Sequence, residues 1–73
     1  MLDYKIKHYE VEIQRLYKEL KTFERAYGMK SSVFFRKFSE GRLGDDIDFI
    51  EWSSLYQMYN RLVGKKVELE GKK

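Results

Sequence analysis

The sequence contains no cysteine and no proline, and its only histidine is His8. The absence of cysteine excludes disulfides and thiolate zinc sites, and one histidine cannot by itself anchor a histidine-based metal site. The longest apolar run, residues 33–35, is far shorter than the roughly 20 residues that cross a bilayer. The first residues also lack the apolar segment of a signal peptide. We therefore expect a cytoplasmic protein with no membrane association and no cofactor.

A chain of 73 residues forms one small domain, which buries only about 60% of the surface that its unfolded form exposes. Since disulfides and thiolate metal sites are excluded, oligomerisation is the remaining common supplement to so small a core. The net charge is +3, with an excess of cations in residues 28–44 and of carboxylates in residues 45–60. This mild basicity is compatible with a nucleic acid or an acidic protein partner, although a solvated, charge-rich surface is its commoner cause.

Residues 2–27 carry apolar side chains at alternating spacings of four and three, without interruption. This rhythm is that of a heptad seam. Its members are Leu2, Ile6, Tyr9, Ile13, Leu16, Leu20, Phe23 and Tyr27. Gly28 follows at the position where a helix C-cap favours a residue that can adopt positive φ. The pattern predicts a helix over residues 3–27.

The second predicted helix is short. Ser31 or Ser32 can accept hydrogen bonds from the free amides at its start, and Gly41 marks its end. Its apolar residues are Val33, Phe34, Phe35 and Phe38. Their spacing predicts about two turns of helix.

The third predicted helix begins at Asp45 or Asp46 and ends at Gly64. Its apolar face is too broad for a strict two-stranded seam and suits burial against more than one neighbour. The residues of that face are Phe49, Ile50, Trp52, Leu55, Tyr56, Tyr59, Leu62 and Val63. We expect a single helical domain over residues 1–66 and a frayed basic tail over residues 67–73.

Residues 41–52 hold two glycines and four carboxylates, a composition that invites comparison with a calcium loop. An EF-hand requires an oxygen ligand and then a glycine at the positions that Ile50 and Glu51 occupy here. As the start of a helix, the same stretch can use Asp45 or Asp46 to cap an amide and Asp48 to close a pair resembling a capping box. We therefore predict helix capping and no metal site.

No catalytic pattern is present in the sequence. His8 stands beside no candidate nucleophile, and the serines have no base nearby in sequence. Gly41 and Gly44 are not followed by the lysine and hydroxyl that a phosphate-binding loop requires. We expect a protein without enzymatic activity.

The first and third predicted helices differ in length, about 25 residues against about 18, so part of the heptad seam extends beyond its intrachain neighbour. Isoleucine and leucine in alternate seam positions favour pairing with a second copy. We therefore expect an all-α fold, a helical hairpin of a long helix, a short helix and a returning third helix, assembled into a dimeric bundle. The expected self-association residues are Ile6, Tyr9, Ile13, Leu16, Leu20 and Phe23. Parallel, antiparallel and four-helix arrangements all remain open.

One segment of the chain has a distinctive pattern. Its residues are Tyr27, Gly28, Met29, Ser31, Ser32, Phe35, Phe38, Glu40, Gly41, Leu43, Gly44, Asp45, Asp46, Asp48, Glu51, Trp52 and Tyr56. The pattern resembles a group of small, uncharacterised helical proteins of archaea and bacteria, and the resemblance covers nearly all of residues 16–62. Some members of that group are associated with genes for small toxins. The resemblance implies a non-enzymatic partner that binds and masks another protein, and it transfers no active-site residue.

We therefore predict a protein-interaction module that self-associates and acts as an antitoxin-like partner of a small toxin. The residues expected to contact that partner are Phe34, Phe35, Arg36, Lys37 and Arg42. The alternative is a small basic nucleic-acid-binding protein, in which Lys30 and the same three cations would contact phosphates. The acidic start of the third helix argues against its use as a recognition helix, because it would face a polyanion.

Overall fold

The computed structural model describes the backbone of residues 2–71 and the side chains of residues 7–69 and 71. The chain forms three α-helices, α1 (Leu2–Tyr27), α2 (Ser31–Ser39) and α3 (Ile47–Gly71), and residues 2–71 contain no strand. Helix α3 runs antiparallel to α1, since Lys66 pairs with Glu10 at one end of the hairpin and Asp48 contacts Tyr27 at the other. The predicted all-α hairpin is confirmed. Within the described residues no helix is long and apolar enough to cross a membrane.

Helix α1 ends as its sequence predicts. Gly28 adopts a φ of 67°, and its amide donates to the carbonyl oxygen of Glu24 at 2.8 Å. This bond satisfies one of the carbonyls that the last turn of a helix leaves without an intrahelical donor. The chain can therefore reverse within three residues and begin α2 beside α1.

The start of α2 differs from the prediction, because neither Ser31 nor Ser32 is its N-cap. Lys30 holds that position with no side-chain cap, and Ser31 is the first helical residue. The amide and the hydroxyl of Ser31 both donate to Oε2 of Glu24, at 2.9 and 2.7 Å. The carboxylate that satisfies this helix start thus comes from α1, which a local sequence pattern cannot reveal.

The end of α2 agrees with the prediction. Gly41 adopts a φ of 73°, its amide donates to Phe38, and the next amide, of Arg42, donates to Lys37, both at 3.0 Å. This pair of bonds forms a Schellman motif, which favours glycine at the left-handed position.

Helix α3 begins as predicted but ends later. The Asp46 carboxylate accepts the amide of Asp48 at 2.9 Å, which confirms Asp46 as the N-cap. The expected capping box is wrong, because the Asp48 carboxylate instead accepts the hydroxyl of Tyr27 at 2.7 Å.

The predicted end of α3 at Gly64 is wrong, since the helix continues to Gly71. Glycine inside a helix costs about 1 kcal/mol relative to alanine, which packing against a neighbour readily offsets. Such packing is present, because half-buried Lys66 reaches Glu10 of α1 at 3.6 Å. Residues 67–71 therefore continue the helix where a frayed tail was expected, and residues 72–73 lie outside the described part of the chain.

The core lies where the three helices meet. Its fully buried side chains are Leu16, Leu20, Phe34 and Trp52. The rings of Phe34 and Trp52 stack with centroids 3.9 Å apart, and the Trp52 indole N–H donates to the Ser31 hydroxyl at 2.9 Å. A single tryptophan therefore holds α2 against α3 through both an apolar and a polar contact.

Candidate functional site

The heptad seam of α1 faces the protein's own interior. Leu16 and Leu20 are buried, and Phe23 stacks on Trp52 of α3 with ring centroids 5.5 Å apart. Helix α3 has 25 residues and α1 has 26, so the overhang that suggested a second copy at this seam is absent. The central part of the seam, at Leu16, Leu20 and Phe23, is therefore covered within the chain itself.

The remaining seam residues lie along the same α1–α3 groove. Tyr9 and Ile13 are half-buried. Tyr9 borders a recess with Met58 and Leu62, and Ile13 borders another with Tyr59. Ile6 lies in α1, but its side chain is outside the described part of the chain.

The residues expected to contact a partner protein divide into two groups. Phe34 is fully buried, so its assignment as a surface contact is wrong. Phe34 is the residue of α2 whose ring stacks on Trp52, which places it in the core. Phe35 is half-buried beside Tyr56, with ring centroids 5.2 Å apart.

The three cations of that prediction lie nearer the surface. Arg36 and Arg42 are exposed and Lys37 is half-buried. Arg42 forms an exposed ion pair with Glu40 at 3.4 Å, a contact that contributes little to stability in water. These residues remain accessible to an anionic partner.

Three exposed apolar side chains of α3 form a surface that the sequence analysis did not identify. Ile47, Ile50 and Met58 are 79%, 48% and 42% exposed. Together with Ser54 they follow one another at spacings of three, four and four, so they form one line along α3, which at Met58 borders a recess shared with α1. We call these four residues the apolar face of α3. The spacing of these residues can be read from the sequence. However, the buried side of α3 also has apolar residues at spacings of three and four, and the sequence analysis assigned Ile50 to that side.

A recess of about 200 Å³ borders this face and contains the only histidine. Its lining residues are His8, Tyr9, Glu12, Met58, Arg61 and Leu62. The side-chain hydrogen bond from Arg15, at 2.9 Å, and its charge lower the pKa of Glu12 from the ordinary value of 4.5. No serine lines the recess, and the side chains of residues 7–69 and 71 contain no cluster that could bind a metal ion. The arrangement favours binding by shape and charge.

A second cleft, of about 290 Å³, lies between α1 and α2. Its walls carry Tyr17, Tyr56 and Tyr59, and its polar groups are largely engaged with one another. Lys21 pairs with Glu24 at 3.2 Å and lies 5.3 Å from the centre of the Tyr17 ring. The hydrogen bond to Glu24, followed by its charge, raises the pKa of Lys21 above 10.5, which keeps this lysine protonated.

Comparison with protein families, with curated proteins and with solved structures finds no match for this chain.

Proposed function

We propose that this protein is a non-enzymatic protein-interaction module that self-associates through the apolar face of α3. The observation that carries the proposal is the line formed by Ile47, Ile50 and Met58, each of which leaves more than two fifths of its surface in water. Burying an apolar side chain contributes about 1.5–3 kcal/mol, so a partner that covers this line gains a substantial association energy.

The chemistry of the apolar face favours a second copy as its occupant. When two α3 helices lie antiparallel with Ile47 of one opposite Met58 of the other, apolar residues meet at both ends of the face, and Ile50 lies beside Ser54 at its centre. Arg61 of each copy then lies beside the exposed Asp45 that precedes α3 of the other. A two-fold symmetric interface uses the same patch on both subunits, and this patch complements itself in both hydrophobicity and charge.

The small core supports the same assignment. Only four apolar side chains in the described part of the chain are fully buried. Domains of this size commonly gain stability from disulfides, metals or oligomerisation, and cysteine is absent. Pairing through α3 adds buried apolar surface without disturbing the hairpin.

Sedimentation of Ile50→Asp beside the parent tests the proposal. We expect a dimeric mass for the parent and a monomeric mass for the variant, because the new carboxylate would lose its hydration in the interface. Val11→Asp is the matched control, since Val11 is 64% exposed on α1, and this variant should remain dimeric. A parent that sediments as a monomer at high concentration would contradict the proposal.

An antitoxin-like role for this cytoplasmic module belongs to the same proposal. It rests on the resemblance carried by the segment from Tyr27 to Tyr56. The exposed cations Arg36 and Arg42, with Lys37, would meet acidic side chains of a small toxin. Co-expression with the product of the adjacent gene tests this role, with Arg36→Glu/Arg42→Glu expected to weaken a co-purified complex and Ile50→Asp expected to preserve it.

A further inference from the structure

The outer side of α1 carries a row of cations. Positions 7, 14, 18, 21 and 25 fall within an arc of about 60° around the helix at 3.6 residues per turn. These positions hold the four cations Lys7, Lys18, Lys21 and Arg25 and the uncharged Gln14. Because no carboxylate falls in this arc between residues 7 and 25, the row presents one sign of charge over that part of α1. We call these five residues the basic face of α1.

Three of the four cations of the basic face form no ion pair with any side chain that the structure describes. Lys7, Lys18 and Arg25 take part in no ion pair within the described residues. Lys21 does pair with Glu24, but that carboxylate also accepts two hydrogen bonds from Ser31. In contrast, the neighbouring Arg15 contacts both Glu12 and Glu19, so it adds little net positive charge to the row.

The row extends beyond the end of α1. Lys21 and Arg25 border an open recess of about 570 Å³, which also contains the exposed Lys30 at the start of α2. The single carboxylate of this recess is Glu24, whose hydrogen bonds hold it against Ser31. The recess therefore continues the positive surface past the turn at Gly28.

We propose that the basic face of α1 and Lys30 bind the phosphate backbone of double-stranded DNA without regard to sequence. The rise of 1.5 Å per residue places Lys7 and Arg25 about 27 Å apart, a length over which a duplex carries about 16 phosphate charges. Cations in a row bind such a polyanion by displacing its condensed counterions, and lysines make phosphate contacts without reading bases. The basic face lies on α1 and the apolar face lies on α3, so the two proposed surfaces share no residue.

The salt dependence of binding to a fluorescent DNA duplex tests the proposal. With four or five phosphates neutralised, the logarithm of the association constant should fall with the logarithm of salt concentration with a slope of about −4. Lys18→Gln/Arg25→Gln should weaken binding by tenfold or more and reduce the slope by about 2. Both side chains are exposed, so an unchanged circular dichroism spectrum is expected.

The matched control is Arg36→Gln/Lys65→Gln, which also removes two positive charges and lowers the net charge from +3 to +1. It should retain the slope of the parent. An equal loss in both double variants would show that binding follows net charge and would overturn the proposal. Parent protein with no affinity for DNA at low salt, or with higher affinity for phosphatidylserine vesicles, would also overturn it. An Ile50→Asp monomer that still binds DNA through Lys18 and Arg25 would support this proposal independently of self-association.

Discussion

Glu24 joins the three helices through a chain of hydrogen bonds. Its carboxylate accepts both the amide and the hydroxyl of Ser31, and that hydroxyl in turn accepts the indole N–H of Trp52. A serine hydroxyl can donate and accept at the same time, so the relay satisfies each polar group in a mostly apolar environment. Loss of the middle member would leave the indole N–H buried without a partner, which costs about 1–3 kcal/mol.

The relay predicts a specific loss of stability in acid. Partial burial raises the pKa of Glu24, but the hydrogen bonds from Ser31 and from Lys21 outweigh it and bring the pKa below the ordinary value of 4.5. Since the folded-state pKa is the lower one, this stabilisation is complete at neutral pH and is lost as the pH falls through the folded-state value. Urea titrations from about pH 6 to pH 3 should show a steeper decline for the parent than for Glu24→Gln, which has no charge to lose.

Parallel pH profiles of the parent and Glu24→Gln would contradict this account. The matched control is Glu51→Gln, which removes an exposed carboxylate of α3 and should leave the profile of the parent unchanged.

At the scale of the elements, the glycines of this chain have two different roles. Gly28, Gly41 and Gly44 adopt positive φ in the turns. Gly64 lies inside α3, and a Cβ placed there would meet no atom within 4 Å. The first group permits the chain to reverse, whereas Gly64 only weakens a helix that packing maintains.

Alanine substitutions at Gly41 and Gly64 should therefore have opposite effects. Gly41→Ala places a side chain in the left-handed region and should lower the free energy of unfolding by about 1–2 kcal/mol. Gly64→Ala should raise it by about 1 kcal/mol, because alanine restricts the unfolded chain and favours the helix. Urea denaturation of the two variants measures both values, and changes of the same sign would contradict the distinction.

The observed bounds of the three helices show which of their features a local sequence pattern can predict. The spacing of the apolar residues predicted α1 to within one residue. Gly41 predicted the end of α2, and the aspartates at 45 and 46 predicted the start of α3. The end of α3 was predicted wrongly because Gly64 is a stop signal only where nothing packs against the following turn. Because the prediction ended α3 seven residues too early, the predicted α3 was too short to cover the seam of α1. The prediction therefore assigned a second copy to that seam. The cap that Glu24 supplies to α2 and the exposure of Ile47 depend on tertiary arrangement, which no local pattern contains.

At the scale of the whole molecule, the two proposed surfaces lie on different helices of the hairpin. The basic face belongs to α1, whose Leu16 and Leu20 are buried, and the apolar face belongs to α3. A dimer formed through α3 would carry one basic face on each copy of α1. Such an assembly could hold two segments of duplex at once.

Self-association predicts a melting temperature that depends on protein concentration. Because association stabilises the folded state by mass action, the melting temperature of the parent should rise as the concentration increases. The Ile50→Asp variant should melt at one temperature throughout the same series. Differential scanning calorimetry over a hundredfold range of concentration measures the difference, and a constant melting temperature for the parent would contradict dimer formation.

The position of Trp52 supplies the protein with its own optical reporter. It is the only tryptophan in the chain, it is shielded from water, and aromatic rings of both other helices stack against it. Its emission should therefore lie at short wavelength in the folded state and shift to the red when either α1 or α2 separates from α3. The emission wavelength of this single indole therefore reports whether the three helices are packed together, without an added label.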